Sequence, residues 1–293
     1  MAETRTPIAP SDLERRAGEA AARLPALLTE AERVAGTLAA GAHGRARPGA
    51  GETFWQYRDY ADGDAAASVD WRQSARSPGR LYVRQTEWET AASVHVWADG
   101  ADGFDYGSGG VTKRERAQLI ACALGVMLVR GGERVGPASG RARAARAGVA
   151  PLAERLVLGA EGEALPPLPA PRASRMVYLS DFYTGTEALL DRLSAIAGAG
   201  LPCHLVQVSD PAEVTFPFRG RTIFRSPSGA QRFPVSDANA VRDDYALARD
   251  AHLKAIRDAA RRFGWTFGTH VTGAPATPVL ASLHAAMAQE RRR

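Results

Sequence analysis

The first long pattern in the chain is helical. From Leu13 to Ala40 the residues are mostly Ala, Leu, Glu and Arg, interrupted by Pro25. Proline lacks an amide proton and clashes with the preceding turn, so two helices are expected there. Gly41–Gly51 crowds four glycines and a proline among basic residues and reads as a loop. Leu81–Glu87 alternates with period two, as a strand does, and Ala92–Ala98 is a second, more apolar strand. After the acidic, Gly-rich loop Asp99–Gly110, Thr112 and Glu115 form a capping box that opens a helix to about Arg130. Gly131–Gly132 ends it, and Arg134–Gly136 is a short strand candidate. Pro137–Arg172 is rich in Ala, Gly and Pro, with a helical turn or two at Ala150–Leu158. Met176–Ser180, Leu201–Val208 and Trp265–His270 read as further strands. Thr184 with Glu187 predicts another capped helix to about Ala199, and helices follow at about Ala238–Phe263 and from Thr277. Thr222–Arg225 and Gln231–Val235 flank Pro227–Gly229 as a small hairpin.

Strands that alternate with helices define an α/β protein with a doubly wound, mainly parallel sheet and helices on both faces. The expected division is an N-terminal helical extension with its Arg/Gly-rich loop over residues 1–50, a charged and aromatic segment over 51–90 packed on the main domain, and the α/β domain over 91–293.

Composition narrows the classes. A hydrophobic fraction of 45% with 24% charged residues is that of a globular chain, which excludes a disordered one. The net charge of +5 comes almost wholly from arginine, since the only lysines are Lys113 and Lys254. A basic balance raises a nucleic-acid reading on Arg45, Arg47, Arg141, Arg143 and Arg146. The arginines are interleaved with carboxylates along the chain, however, so solvated loops explain them better. Cys122 and Cys203 each lie in an apolar run and read as buried thiols. The N-terminus is polar and then Ala-rich, not a secretory signal. The longest apolar run, Leu119–Val129, is too short to span a bilayer. A cytoplasmic location is expected.

Two sets of residues carry candidate chemistry. Ligands of doubly wound sheets sit at the carboxyl ends of strands near a switch in strand order. Asp99 and Asp181 occupy such ends, where hard oxygen ligands suit magnesium; the alternative is that both serve as turn and cap acids. The second set is Gly51–Arg76, where Glu52, Asp59, Asp62, Asp64 and Asp70 alternate with Arg58, Arg72, Arg76 and large aromatics including Tyr60 and Trp71. Acids on a metal would make a hydrolase using Asp59, Asp64, Asp70, Asp99 or Asp181. Arg–carboxylate pairs knitting a loop-rich segment would make a structural or recognition element instead, and balanced charges favour that. No P-loop, nucleophile elbow or metal-spaced histidine pattern occurs, and His95 and His204 fall within strands.

The order Gly51-Glu52, Arg58-x-Tyr60, Gly63-Asp64, Val69-Asp70-Trp71-Arg72-x-Ser74-Ala75-Arg76 and Val83-Arg84-x-x-Glu87 resembles the bacterial domain-of-unknown-function family 58. Gly132-Glu133-Arg134-Val135-Gly136 and Ser180-Asp181-Phe182 resemble it too, so the likeness covers about Gly41 to Phe182. The resemblance implies a von Willebrand factor A-like fold of six or so strands with helices on both faces. It also implies a non-enzymatic adaptor that works with a MoxR-type AAA+ ATPase and related von Willebrand A proteins in assembling or maturing other proteins. Many such folds bind a divalent cation through Asp-x-Ser-x-Ser and a later aspartate. Here Asp99 and Asp181 match, but Ala101 and Gly103 replace the serines and offer no side-chain oxygen. The resemblance thus implies a degenerate cation site and no cofactor, with magnesium on Asp99 and Asp181 as the minor alternative.

Overall fold

Ser93–Ala98 (β3), Arg175–Ser180 (β5) and Cys203–Ser209 (β6) are almost wholly buried, which follows from their near-continuous apolar side chains. In the computed structural model they pair in parallel as the centre of a five-stranded sheet. Arg134–Pro137 (β4) adds beside β3 and Thr266–Val271 (β9) beside β6, giving the order β4-β3-β5-β6-β9. The structure describes residues 10–41, 54–61, 64, 69–77, 79–86, 91–158, 165–170, 173–226 and 231–290. They fall into two compact units: one joins residues 1–44 with 92–293, the other is residues 45–91.

Helices cover both faces of the sheet in the larger unit. Pro10–Gly41 (α1), Lys113–Arg130 (α3), Arg146–Val157 (α4) and Thr277–Glu290 (α8) bury Ala31, Leu124, Leu152 and Leu280 against Val94, Val96, Val177 and Val206. Thr186–Ala197 (α5) and Arg242–Arg262 (α7) bury Leu189, Leu193 and Ile256 against Trp97, Met176, Tyr178 and Leu205 on the other face. Each such aliphatic side chain contributes about 1.5–3 kcal/mol on burial, so the two layers supply much of what holds the sheet. Both cysteines are buried, and burial pushes the Cys122 thiol up to about 12. His95 and His204 are buried strand residues: His95 Nδ1 lies 3.0 Å from the Pro137 carbonyl and His204 Nδ1 2.8 Å from Thr266 Oγ1.

The winding reverses between β3 and β5. From β3 the chain passes through α3 to β4 on one side, then returns to lay β5 on the other side of β3. That reversal leaves a crevice at the carboxyl ends of β3 and β5.

Several expectations need correction. Pro25 does not split the first helix, which runs unbroken from Pro10 to Gly41. Leu24, Leu27, Leu28, Ala31 and Val34 pack from both sides of Pro25 onto the main core, and that burial outweighs the missing amide. Thr184 and Glu187 do not form a capping box; α5 starts at Thr186 with Gly185 before it. The preceding residues are used by a tight turn, in which Phe182 is left-handed and Thr184 N donates to the Phe182 carbonyl at 2.8 Å. The Arg141–Arg146 stretch is neither a solvated loop nor a frayed helix throughout. Arg143 pairs antiparallel with Val135 at the sheet edge and Arg146 opens α4. A Cβ on Gly136 would lie 2.6 Å from the Arg141 carbonyl oxygen, and one on Gly148 2.3 Å from that of Arg143, so both glycines permit this close return.

The smaller unit is also more regular than a loop-rich segment. Phe54–Asp59 (β1) pairs antiparallel with Tyr82–Thr86 (β2), and Trp71–Ser74 (α2) forms one turn between them. The aromatic and polar residues of β1 alternate too weakly to register as a strand, because pairing in a two-stranded ribbon does not require a buried face. Among the described residues, no helix is long and apolar enough to cross a membrane.

Candidate functional site

The crevice at the switch point is filled by charged side chains, and at its centre is a lysine that sequence reasoning missed. Thr112 caps α3 through both arms of its box with Glu115, at 3.1 and 3.0 Å. This places Lys113 at the first position of α3. Its side chain is 2% exposed. Lys113 Nζ donates to Asp181 Oδ2 at 2.6 Å and to Glu213 Oε1 at 2.5 Å. The rings of Tyr183, Phe104 and Tyr106 surround the ammonium with centroids at 5.5, 5.9 and 5.9 Å, a cation–π enclosure. Burial by itself disfavours the ammonium, but the two carboxylates outweigh it and hold the Lys113 pKa above its ordinary value.

Each carboxylate is held in turn. Asp181 follows β5, and its Oδ1 accepts the Tyr183 amide at 2.9 Å. The intervening Phe182 is left-handed at φ 57°, a costly conformation for a bulky residue, and is fully buried. Glu213 lies on Pro211–Thr215 (α6), where it closes a capping box with Asp210 by accepting the Asp210 amide at 2.9 Å. Burial pushes the Glu213 pKa up, against the pull of Lys113. Asp210 accepts Ser108 N and Ala212 N, each at 2.8 Å, and the Ser108 hydroxyl. These bonds tie the Asp99–Gly110 loop, α3, β5 and α6 into one clasp.

Asp99 stands beside this clasp rather than in it. It follows β3, which pairs with β5, and is 4% exposed. Its Oδ2 accepts the Ser180 hydroxyl at 2.6 Å and its Oδ1 the Ala101 amide at 2.8 Å. Ser180 Oγ accepts the Phe182 amide at 2.8 Å, so a hydrogen-bond chain links the ends of the two strands. Burial pushes the Asp99 carboxyl up to about 6, with Asp181 adding to the rise. Ala101 and Gly103 contribute no side-chain oxygen, and Asp105 is turned to Arg114 at 2.5 Å. Among the described residues, no group of three or more His, Cys, Asp or Glu side chains is placed to hold a metal ion. Beside Asp99, Arg114, Gln118 and Arg155 line a cavity of about 10 Å³, room for about one water.

Some of the residues that carry the resemblance form a cluster within the smaller unit. Arg58 grips Asp64 with both terminal nitrogens, at 2.6 and 2.5 Å. Asp64 also accepts the Ala61 amide at 2.9 Å, and its carbonyl accepts the Tyr60 hydroxyl at 3.0 Å. Asp70 caps α2 by accepting Gln73 N at 3.0 Å, and Tyr57 donates to its other oxygen at 3.2 Å. Trp71, Arg72 and Arg76 are exposed, with Trp71 at 63%, and Asp59 is exposed as well. Arg84 lies on β2, whose backbone alone is described there. Glu52, Asp62 and Glu87 lie outside the described residues, as do Arg45 and Arg47.

The Arg58 pair depresses the Asp64 pKa to about 2, with the Ala61 amide assisting. Such a shift stabilises the fold above the carboxyl's unfolded value and is lost as pH falls through about 2. An NMR titration is expected to place Asp64 near that value and, in Arg58→Met, to return it toward the ordinary carboxylate range. The unfolding midpoint at neutral pH should move little, because the pair is solvent-accessible.

Fold and site together define a parallel α/β protein with a buried lysine–carboxylate clasp at the switch point of its sheet. The chain belongs to the DUF58 family, described as "Protein of unknown function DUF58", with the match running over residues 56–255. It is 29% identical over 236 residues to the uncharacterized proteins Rv1480 of Mycobacterium tuberculosis and Mb1516 of Mycobacterium bovis, covering 74% of this chain and 74% of each relative. No solved structure matches it.

Proposed function

We propose that this protein is a non-enzymatic, von Willebrand A-like protein-binding module that works with a MoxR-type AAA+ ATPase in the assembly or maturation of other proteins. The observation that carries the reading is the position of Lys113. An ammonium bonded to Asp181 and Glu213 supplies, from the chain itself, the positive charge that a divalent cation would bring to these strand ends. The carboxylates are then committed to the ammonium and to holding loops together. Five parallel strands with helices on both faces, plus the Arg143 segment paired at the β4 edge, fit a six-stranded von Willebrand A-like sheet.

The test is affinity purification of the tagged full-length chain from its own cells, followed by mass spectrometry. A MoxR-type ATPase enriched well above an untagged control is expected. Its repeated absence with folded protein would overturn the reading. Isothermal titration with magnesium and manganese at millimolar concentration is expected to show no binding, and saturable heat abolished by Asp181→Asn would favour a metal-dependent protein instead.

A further inference from the structure

Between α6 and α7 the chain inserts a hairpin, Thr222–Arg225 (β7) and Arg232–Val235 (β8), whose charged side chains are all of one sign. From Val214 to Val235 the sequence holds Arg219, Arg221, Arg225 and Arg232 and no carboxylate. All four arginines are exposed, and none is ion-paired among the described residues. Arg225 and Arg232 stand directly opposite one another across the strands. Like charges in that arrangement destabilise a hairpin, so the pair is retained at a cost to folding. Ile223 and Phe233, 59% and 51% exposed, leave apolar surface among these charges. Phe224 anchors the hairpin from below, stacking on Phe216 at 5.7 Å and meeting Phe218 edge-on at 5.3 Å.

The two edges of the ribbon differ. Ser226 N donates to the Gln231 carbonyl at 2.9 Å, and the register alternates from there. Ile223–Pro234 and Arg225–Arg232 are therefore the non-hydrogen-bonded pairs, whose backbone groups point outward. On β8 one outward position is Pro234, which has no amide proton and blunts that edge. On β7 the outward positions are Ile223 and Arg225, each with an N–H and a C=O to offer.

We infer that the outer edge of β7 receives an extended, acidic segment of a partner protein by strand addition. Arg219, Arg221, Arg225 and Arg232 meet its carboxylates, and Ile223, on the same face as Arg225 and Arg232, meets its apolar side chains. Backbone pairing gives such a complex its affinity, and alternate side chains give it specificity. The inference rests on the protein-binding reading above, and names the surface and the kind of segment it takes.

A fluorescent, alternating Glu–Val peptide is the probe, with a Lys–Val peptide as control. The full chain is expected to bind the Glu–Val peptide, more weakly as salt rises, and not the Lys–Val one. The double variant Arg225→Glu/Arg232→Glu and the edge variant Ile223→Pro are each expected to weaken binding at least about tenfold, with circular dichroism confirming the fold. A peptide that fails to bind, or binds both folded variants like the parent, overturns the inference. So does preferential binding to phosphatidylserine vesicles that Ile223→Pro leaves unchanged, which would assign the arginines to a lipid surface. Purifying the ATPase with the parent and with the double variant separates the two claims. Recovery by the parent while the peptide goes unbound sinks the hairpin inference alone, and loss from the parent sinks the broader reading.

Discussion

Replacing Lys113 with methionine is expected to destabilise the protein by about 3–5 kcal/mol, read as a lowered urea midpoint at neutral pH. Methionine keeps most of the volume and removes the charge, so the buried Asp181 and the part-buried Glu213 lose the cation they share. Such groups cost far more unpaired than a pair yields over a neutral replacement. The triple variant Lys113→Met/Asp181→Asn/Glu213→Gln should therefore recover much of the loss, because it removes the charges together. Acid should also rescue the single variant. Without the lysine, the Glu213 carboxyl loses the neighbour that pulls its pKa down, so burial raises its folded value further above the unfolded one, giving stability that is present in acid and lost as pH rises through the raised value. In the parent the Lys113 pKa is itself raised, so its share of the clasp's stability is present through neutral pH and is lost in alkali, as pH rises from the ordinary lysine value through the raised one. A single variant within about 0.5 kcal/mol of the parent would show that the clasp is not a structural centre.

The clasp also shows how far the chain can be read without coordinates. The five strands of the parallel sheet and the α3 capping box follow from local rules, since period, caps and glycines act within a few residues. Asp99 and Asp181 were placed at neighbouring strand ends by the same logic, and the structure puts them there. Lys113 and Glu213 are a hundred residues apart and meet only once β6 and α3 pack on one sheet. The available signals were slight: a lysine in a chain with two, placed just after a capping threonine, and Asp210-Pro-Ala-Glu213, a second capping box directly after a strand. Pro25 marks the opposite failure. A local rule was clear, and tertiary burial of the helix overrode it. Gly132, which reads as the stop of a helix, and Gly136, which falls in a strand candidate, each have a conformational reason in the structure. Gly132 takes φ +86° at the end of α3, and Gly136 lets the Arg141–Arg143 backbone pass close by.

The second large effect concerns acid, where two buried groups act in opposite directions. Asp99 titrates at about 6 in the fold and near 3.8 when unfolded. Between those values the native state binds the extra proton, so Asp99 contributes stability in acid that is lost as pH rises through about 6. The contribution is on the order of 2–3 kcal/mol. His270 is the reverse. Burial, with Arg116 assisting, holds it at about 4 against an ordinary 6.5, so the unfolded chain takes the proton first and stability falls as pH drops through that window. Its share is about 2 kcal/mol once partial solvent access is allowed for. Urea unfolding of the parent from pH 6.5 to about 4 should therefore conceal both. Asp99→Asn should lose about 2–3 kcal/mol relative to the parent over that range, and His270→Gln should gain about 2. Glu213 shares the sign of Asp99 but is common to all three proteins, so it cancels in these differences. Parallel pH profiles for parent and both variants would mean that neither group is held as the geometry requires. Opposite departures would establish that burial at the Asp99 strand end outweighs the Ser180 hydroxyl, whose donated hydrogen bond favours the ionised carboxylate.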